Sequence, residues 1–72
     1  MNKKNKIKIT VNGKQMTVKL KFSIKNLIEK LKIPNSKVAI ELNREIVNKK
    51  SINKIYLKDK DKVEIVHFIG GG

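Results

Sequence analysis

The chain has 72 residues, 39% of them hydrophobic, with no cysteine, one histidine and a formal net charge of +12. A chain of this length makes one small domain, hides only about 60% of its unfolded surface, and leaves too little material to wall off a deep catalytic cleft. Without cysteine it can hold no disulfide, thiolate metal site or persulfide, and a single histidine leaves no structural zinc site.

The opening segment, MNKKNKIKITVNG, is basic but alternates in polarity, so it does not read as a signal peptide. No apolar run approaches membrane-spanning length, and a cytoplasmic protein without membrane association is expected. Residues 7–11 and 16–20 are apolar at every second position, the pattern of half-buried strands. Between them Asn12-Gly13 supplies two residues tolerant of positive φ, a strong hairpin signal that accounts for both residues. Ile7, Ile9 and Val11 share one face, as do Met16, Val18 and Leu20.

The period then changes. Ser23 can cap a helix, and Ile24, Leu27, Ile28 and Leu31 form one apolar stripe. Lys30 and Lys32 suit the negative end of the helix dipole, and Pro34 marks the exit. Val38, Ile40 and Leu42 alternate again, and Asn43-Arg44 turns the chain into a short strand at Glu45-Ile46-Val47. Residues 48–61 read as a lysine-rich surface loop anchored by Ile52, Ile55, Tyr56 and Leu57, with DKDK leading into a strand from Lys62 to Phe68. The result is an α+β class: a hairpin, one crossing helix and a returning hairpin, making a mixed sheet of four to five strands with the helix on one face. That is the β-grasp, or ubiquitin-like, arrangement. One domain spanning residues 1–72 is expected, with a flexible tail at 69–72.

In the strand from Lys62, alternation turns Val63 and Ile65 toward the helix and Glu64, Val66 and Phe68 away from it. With Ala39 on the matching face of the third strand, and Ile69 beyond, Val66 and Phe68 form a candidate docking patch. The sequence then closes on Gly70-Gly71-Gly72. Residues 69–72 reach at most about 14 Å when extended. Lacking Cβ atoms, the glycines can thread a narrow channel in a partner. They would deliver the terminal carboxylate of Gly72, a poor electrophile until an activating enzyme adenylates it with ATP. His67 reads as a strand-edge residue. The acids Glu29, Glu41, Glu45, Asp59, Asp61 and Glu64 show no pairing for acid–base work and read as solvated or as contacts to a basic rim.

VAIELNREIV, LKDKDKVEIVHFIGGG and the order of elements resemble the ThiS family, the sulfur carriers of thiamine thiazole synthesis, over residues 7–72. The resemblance implies a carrier, not an enzyme, with no bound cofactor. A ThiF-like adenylating enzyme would use ATP to activate Gly72. A persulfide protein would supply sulfur, and a ThiG-like thiazole synthase would take it from the thiocarboxylate. Two departures from the family stand out. Lys60 replaces the glycine usual between Asp59 and Asp61, and a lysine accepts positive φ poorly, so a different turn is expected. Near Asn48 the family often has proline. Three other readings share parts of the pattern. The small subunit of molybdopterin synthase has the same architecture and a diglycine end, but is usually longer. A ubiquitin-like modifier would be joined to target lysines. A basic RNA-binding module would exploit the charge, but Phe22, Tyr56 and Phe68 are too sparse for base stacking and only one of the 18 basic residues is arginine, so nucleic acid is not an expected partner.

Overall fold

The computed structural model describes residues 5–34 and 37–67. Strand β1 (Lys6–Val11) and strand β2 (Lys14–Lys19) form the opening hairpin, with Ile7 opposite Val18 and Ile9 opposite Met16. Asn12 and Gly13 hold φ of 49° and 84°, the doubly positive pair that a two-residue turn matched to strand twist requires. Leu20 lies just past β2 and is about half exposed, so the shared face of that strand is Met16 and Val18 alone.

Helix α1 (Ile24–Lys30) starts at Ser23 through a reciprocal cap. Ser23 Oγ accepts the Asn26 N–H at 3.0 Å, and Asn26 Oδ1 accepts the Ser23 N–H at 3.0 Å. Two orphan donors are satisfied at once. At the other end Lys32 takes φ 57°. Its N–H bonds to Glu29 C=O, and the Ile33 N–H to Ile28 C=O, closing the helix through a left-handed residue that is usually glycine. Ile24, Leu27 and Ile28 are buried, but Leu31 falls at the C-cap and is 36% exposed, so the apolar stripe is one residue shorter than its spacing indicates.

Strand β3 (Val38–Leu42) turns through Asn43 and Arg44, at φ 51° and 74°, into the two-residue strand β4 (Glu45–Ile46). Val47 is buried, and its N–H reaches Ile40 C=O. Residues 48–61 are more firmly held than a surface loop. Lys49–Ser51 make one 3-10 turn capped by Asn48, whose side chain accepts the Lys50 N–H at 2.8 Å. Ile52 and Leu57 are buried, Ile55 is half-buried, and Tyr56 is exposed. Backbone bonds from Ile24 to Ile55, from Lys25 to Ile52 and from Leu57 to Phe22 tie this segment to the start of α1.

Strand β5 (Lys62–His67) completes a five-stranded sheet in the order β2-β1-β5-β3-β4. It is antiparallel to β3, with Ala39 opposite Val66 and Ile40 opposite Ile65. It is parallel to β1, with Val11 opposite Val63. The architecture is the β-grasp expected from the pattern. One face of the sheet packs against α1 through Ile7, Ile9, Val11, Val18, Val38, Ile40, Val63 and Ile65, all buried. β5 thus stands in mid-sheet, paired with β3 from Val63 to His67 and with β1 at Lys62 and Val63.

Candidate functional site

The sequence places the site at the end of β5 and on the sheet face away from α1. Phe68, Ile69, Gly70, Gly71 and Gly72 lie outside the described residues. Val66 and Ala39 are brought together as direct cross-strand partners on the outer face, Val66 half exposed and Ala39 half-buried. Two neighbours in this patch come from the register. The Asn43-Arg44 turn puts Glu41 opposite Ile46, and β3 puts Glu41 opposite Glu64. Ile46 is 70% exposed, one of five large hydrophobic residues left exposed among the described residues. Reading Glu45-Ile46-Val47 as a strand does not by itself place Ile46 beside the patch, although a two-residue turn fixes that register.

Charge is divided across the outer face. On the side of β3, β4 and β5 lie Ala39, Val66 and Ile46 with the carboxylates of Glu41 and Glu64, and with Lys62 at the start of β5. On the side of β1 and β2 lie Lys6 and Lys8, with Lys6 directly opposite Lys19 and Lys8 opposite Thr17. Like charges directly across a ladder are destabilising, by up to about 1 kcal/mol a pair. The Glu41–Glu64 and Lys6–Lys19 pairs are both of this kind.

The turn before β5 is built from its two acids, which are not merely solvated. Asp59 Oδ1 accepts the Lys8 N–H at 2.8 Å, and Asp61 Oδ2 accepts the Lys58 N–H at 2.7 Å. Asp61 Oδ1 also takes a bond from Asn43 Nδ2 at 3.0 Å. Lys60, between them, adopts φ 74° and donates its N–H to Lys8 C=O at 2.7 Å. The lysine therefore takes the left-handed conformation despite its side chain. His67 lies exposed opposite Val38, at the end of β5.

Among the described residues no three His, Cys, Asp or Glu side chains converge on a metal position. The open groove bordered by Asn5, Lys6, Ile7, Lys8, Thr17 and Asp59 offers a single carboxylate, already engaged by the Lys8 N–H. No helix among the described residues is long and apolar enough to cross a membrane.

Comparison with known proteins meets this geometry. The model of the ThiS family matches residues 5–72. The chain belongs to the ThiS family, the sulfur carrier proteins of thiamine biosynthesis. It is 37% identical to the sulfur carrier protein ThiS of Bacillus subtilis over 65 residues, covering 89% of this chain and 98% of that one. It is 39% identical to a thiazole synthase of Paramagnetospirillum magneticum over 66 residues, but spans only 20% of that protein's length. The crystal structure of a thiamine biosynthesis protein (ThiS) from Geobacter metallireducens superposes with a TM-score of 0.80 at 35% identity, covering 92% of this chain and 100% of that one. As a ThiS-family member the chain is a carrier protein and not an enzyme.

Proposed function

We propose that this chain carries sulfur as a thiocarboxylate on Gly72. The observation that carries the reading is the setting of β5. It is paired with β3 from Val63 to His67 and with β1 at Lys62 and Val63, and its sequence runs on through Phe68 and Ile69 to Gly70-Gly71-Gly72. A partner enzyme adenylates the Gly72 carboxylate with ATP, releasing pyrophosphate. A persulfide sulfur on another protein then attacks the acyl carbon and expels AMP. A thiol cleaves the resulting acyl disulfide, leaving the thiocarboxylate on this chain and a disulfide on the donor side. The chain itself has no cysteine, so its cargo rides on the backbone terminus.

Docking uses the outer sheet face. Val66, Ala39 and Ile46 supply apolar area, Phe68 and Ile69 follow them in sequence as further apolar contacts, and Glu41 and Glu64 meet a basic rim on the adenylating enzyme. Complementary charge of this kind sets orientation and association rate more than affinity. Thiazole synthase is the acceptor. A thiazole synthase that contains a segment like this chain within its own length supports that pairing.

The test is intact mass after incubation with the adenylating enzyme, ATP and a sulfur source. Full-length chain gains the mass of one oxygen exchanged for sulfur. Removing Gly71 and Gly72 leaves the circular dichroism spectrum unchanged and abolishes the gain; a truncated chain that still loads refutes the assignment. Val66→Asp should raise the KM of adenylation with folding preserved, and unchanged kinetics would remove the outer face from the interface.

A further inference from the structure

β1 ends at Val11, opposite Val63, yet β5 runs on to His67. At Asn12 the chain leaves the strand at φ 49° after its N–H bonds to Val63 C=O at 2.9 Å. The edge of β5 beyond that point would be left without a strand beside it. The Asn12 carboxamide fills the gap. Its Oδ1 accepts the Ile65 N–H at 2.7 Å, and its Nδ2 donates to Ile65 C=O at 3.3 Å. One side chain thus reproduces the donor and acceptor of a missing strand residue, 53 positions away in sequence. A turn role alone does not call for this, since glycine at position 12 would serve a doubly positive turn equally well.

Asn43 offers an internal comparison. It holds the equivalent place in the second turn, at φ 51°, and its Oδ1 accepts the Lys62 N–H at 2.9 Å. The two asparagines therefore grip β5 at different points, Asn43 where it begins and Asn12 on the side of the tail.

We infer that Asn12 is a positioning residue for the far end of β5, clamping Ile65 so that the strand holds one course through Val66 to His67, the base from which the rest of the sequence is presented. The inference rests on the proposed carrier role. Docking through the outer face brings the two proteins together, and the clamp holds the end of β5 in place once they have met. Errors of about 1 Å in placing a reacting group can cost on the order of a hundredfold in rate.

The test compares Asn12→Gly with Asn43→Gly, both of which keep a turn-compatible residue and lose a carboxamide. In N12G the Ile65 amide should exchange hydrogen at least about tenfold faster relative to the Leu27 amide in α1. The kcat for adenylation should fall about tenfold or more while KM stays within about twofold, the mark of a lost geometric term and not of lost docking. N43G, assayed at an equal margin below its own Tm, should keep its kcat. Wild-type kcat in N12G, or an equal fall in N43G, would overturn the assignment. If N12G does not fold, Asn12→Asp keeps the acceptor for Ile65 N–H and loses the donor; a fall in kcat of about threefold or more is expected, and an unchanged kcat overturns the clamp. A wild-type chain that is never adenylated defeats the carrier reading and this role with it. A loaded wild type alongside an equally fast N12G defeats Asn12 alone.

Discussion

Lys60 pays a conformational cost that glycine would not. Left-handed backbone disfavours a residue with a Cβ by roughly 1–2 kcal/mol, partly offset by the greater freedom glycine has when unfolded. Lys60→Gly should therefore raise stability by about 0.5–1 kcal/mol, read as a higher urea midpoint at unchanged slope. No change or a loss would mean that the lysine side chain contributes an interaction of its own. Glu41 presents a second conflict, since it faces Glu64 directly. Glu41→Lys converts a repulsive pair into an attractive one and should stabilise the fold by about 0.2–1 kcal/mol. The same change should slow association with the adenylating enzyme, measured as a fall in kcat/KM at low salt. A variant that is more stable and equally active would take Glu41 out of the interface.

Helix α1 has seven residues, too few to persist alone, so its caps and its packing decide its survival. Leu27 is fully buried, and Leu27→Ala should cost about 2–5 kcal/mol in denaturant unfolding. Ser23→Ala removes one half of the reciprocal cap and should cost about 1 kcal/mol. Elements of this kind are legible from residue order because their signals are local. The alternation of Ile7, Ile9 and Val11, the stripe beginning at Ile24, and the two asparagine-led turns each declare themselves within a few positions. What stays hidden depends on partners far away in sequence. The Asn12 carboxamide meets Ile65, and the Asp59 carboxylate meets the Lys8 N–H 51 positions off. Leu31 departs from the stripe because the helix stops at Lys30, where Lys32 takes a conformation normally left to glycine. Of the candidate site, Val66 and Ala39 can be paired by alternation, whereas Ile46 and Glu41 need the register of β4.

Across the whole molecule the net charge of +12 must repel itself, most directly where Lys6 faces Lys19. Raising ionic strength from about 0.05 to 0.5 M shortens the screening length severalfold and should move the urea midpoint upward. A midpoint that falls with added salt would mean that attractive pairs outweigh this repulsion. The sheet order has a consequence for synthesis. β5 lies between β1 and β3, yet it leaves the ribosome after every other strand. Until it emerges, the two hairpins have no common seam, and Val38, Ile40 and the β1 isoleucines lack the Val63 and Ile65 that seal them together. The seam between the two hairpins is therefore closed by the segment made last among the described strands, so the sheet becomes continuous only when β5 is in place.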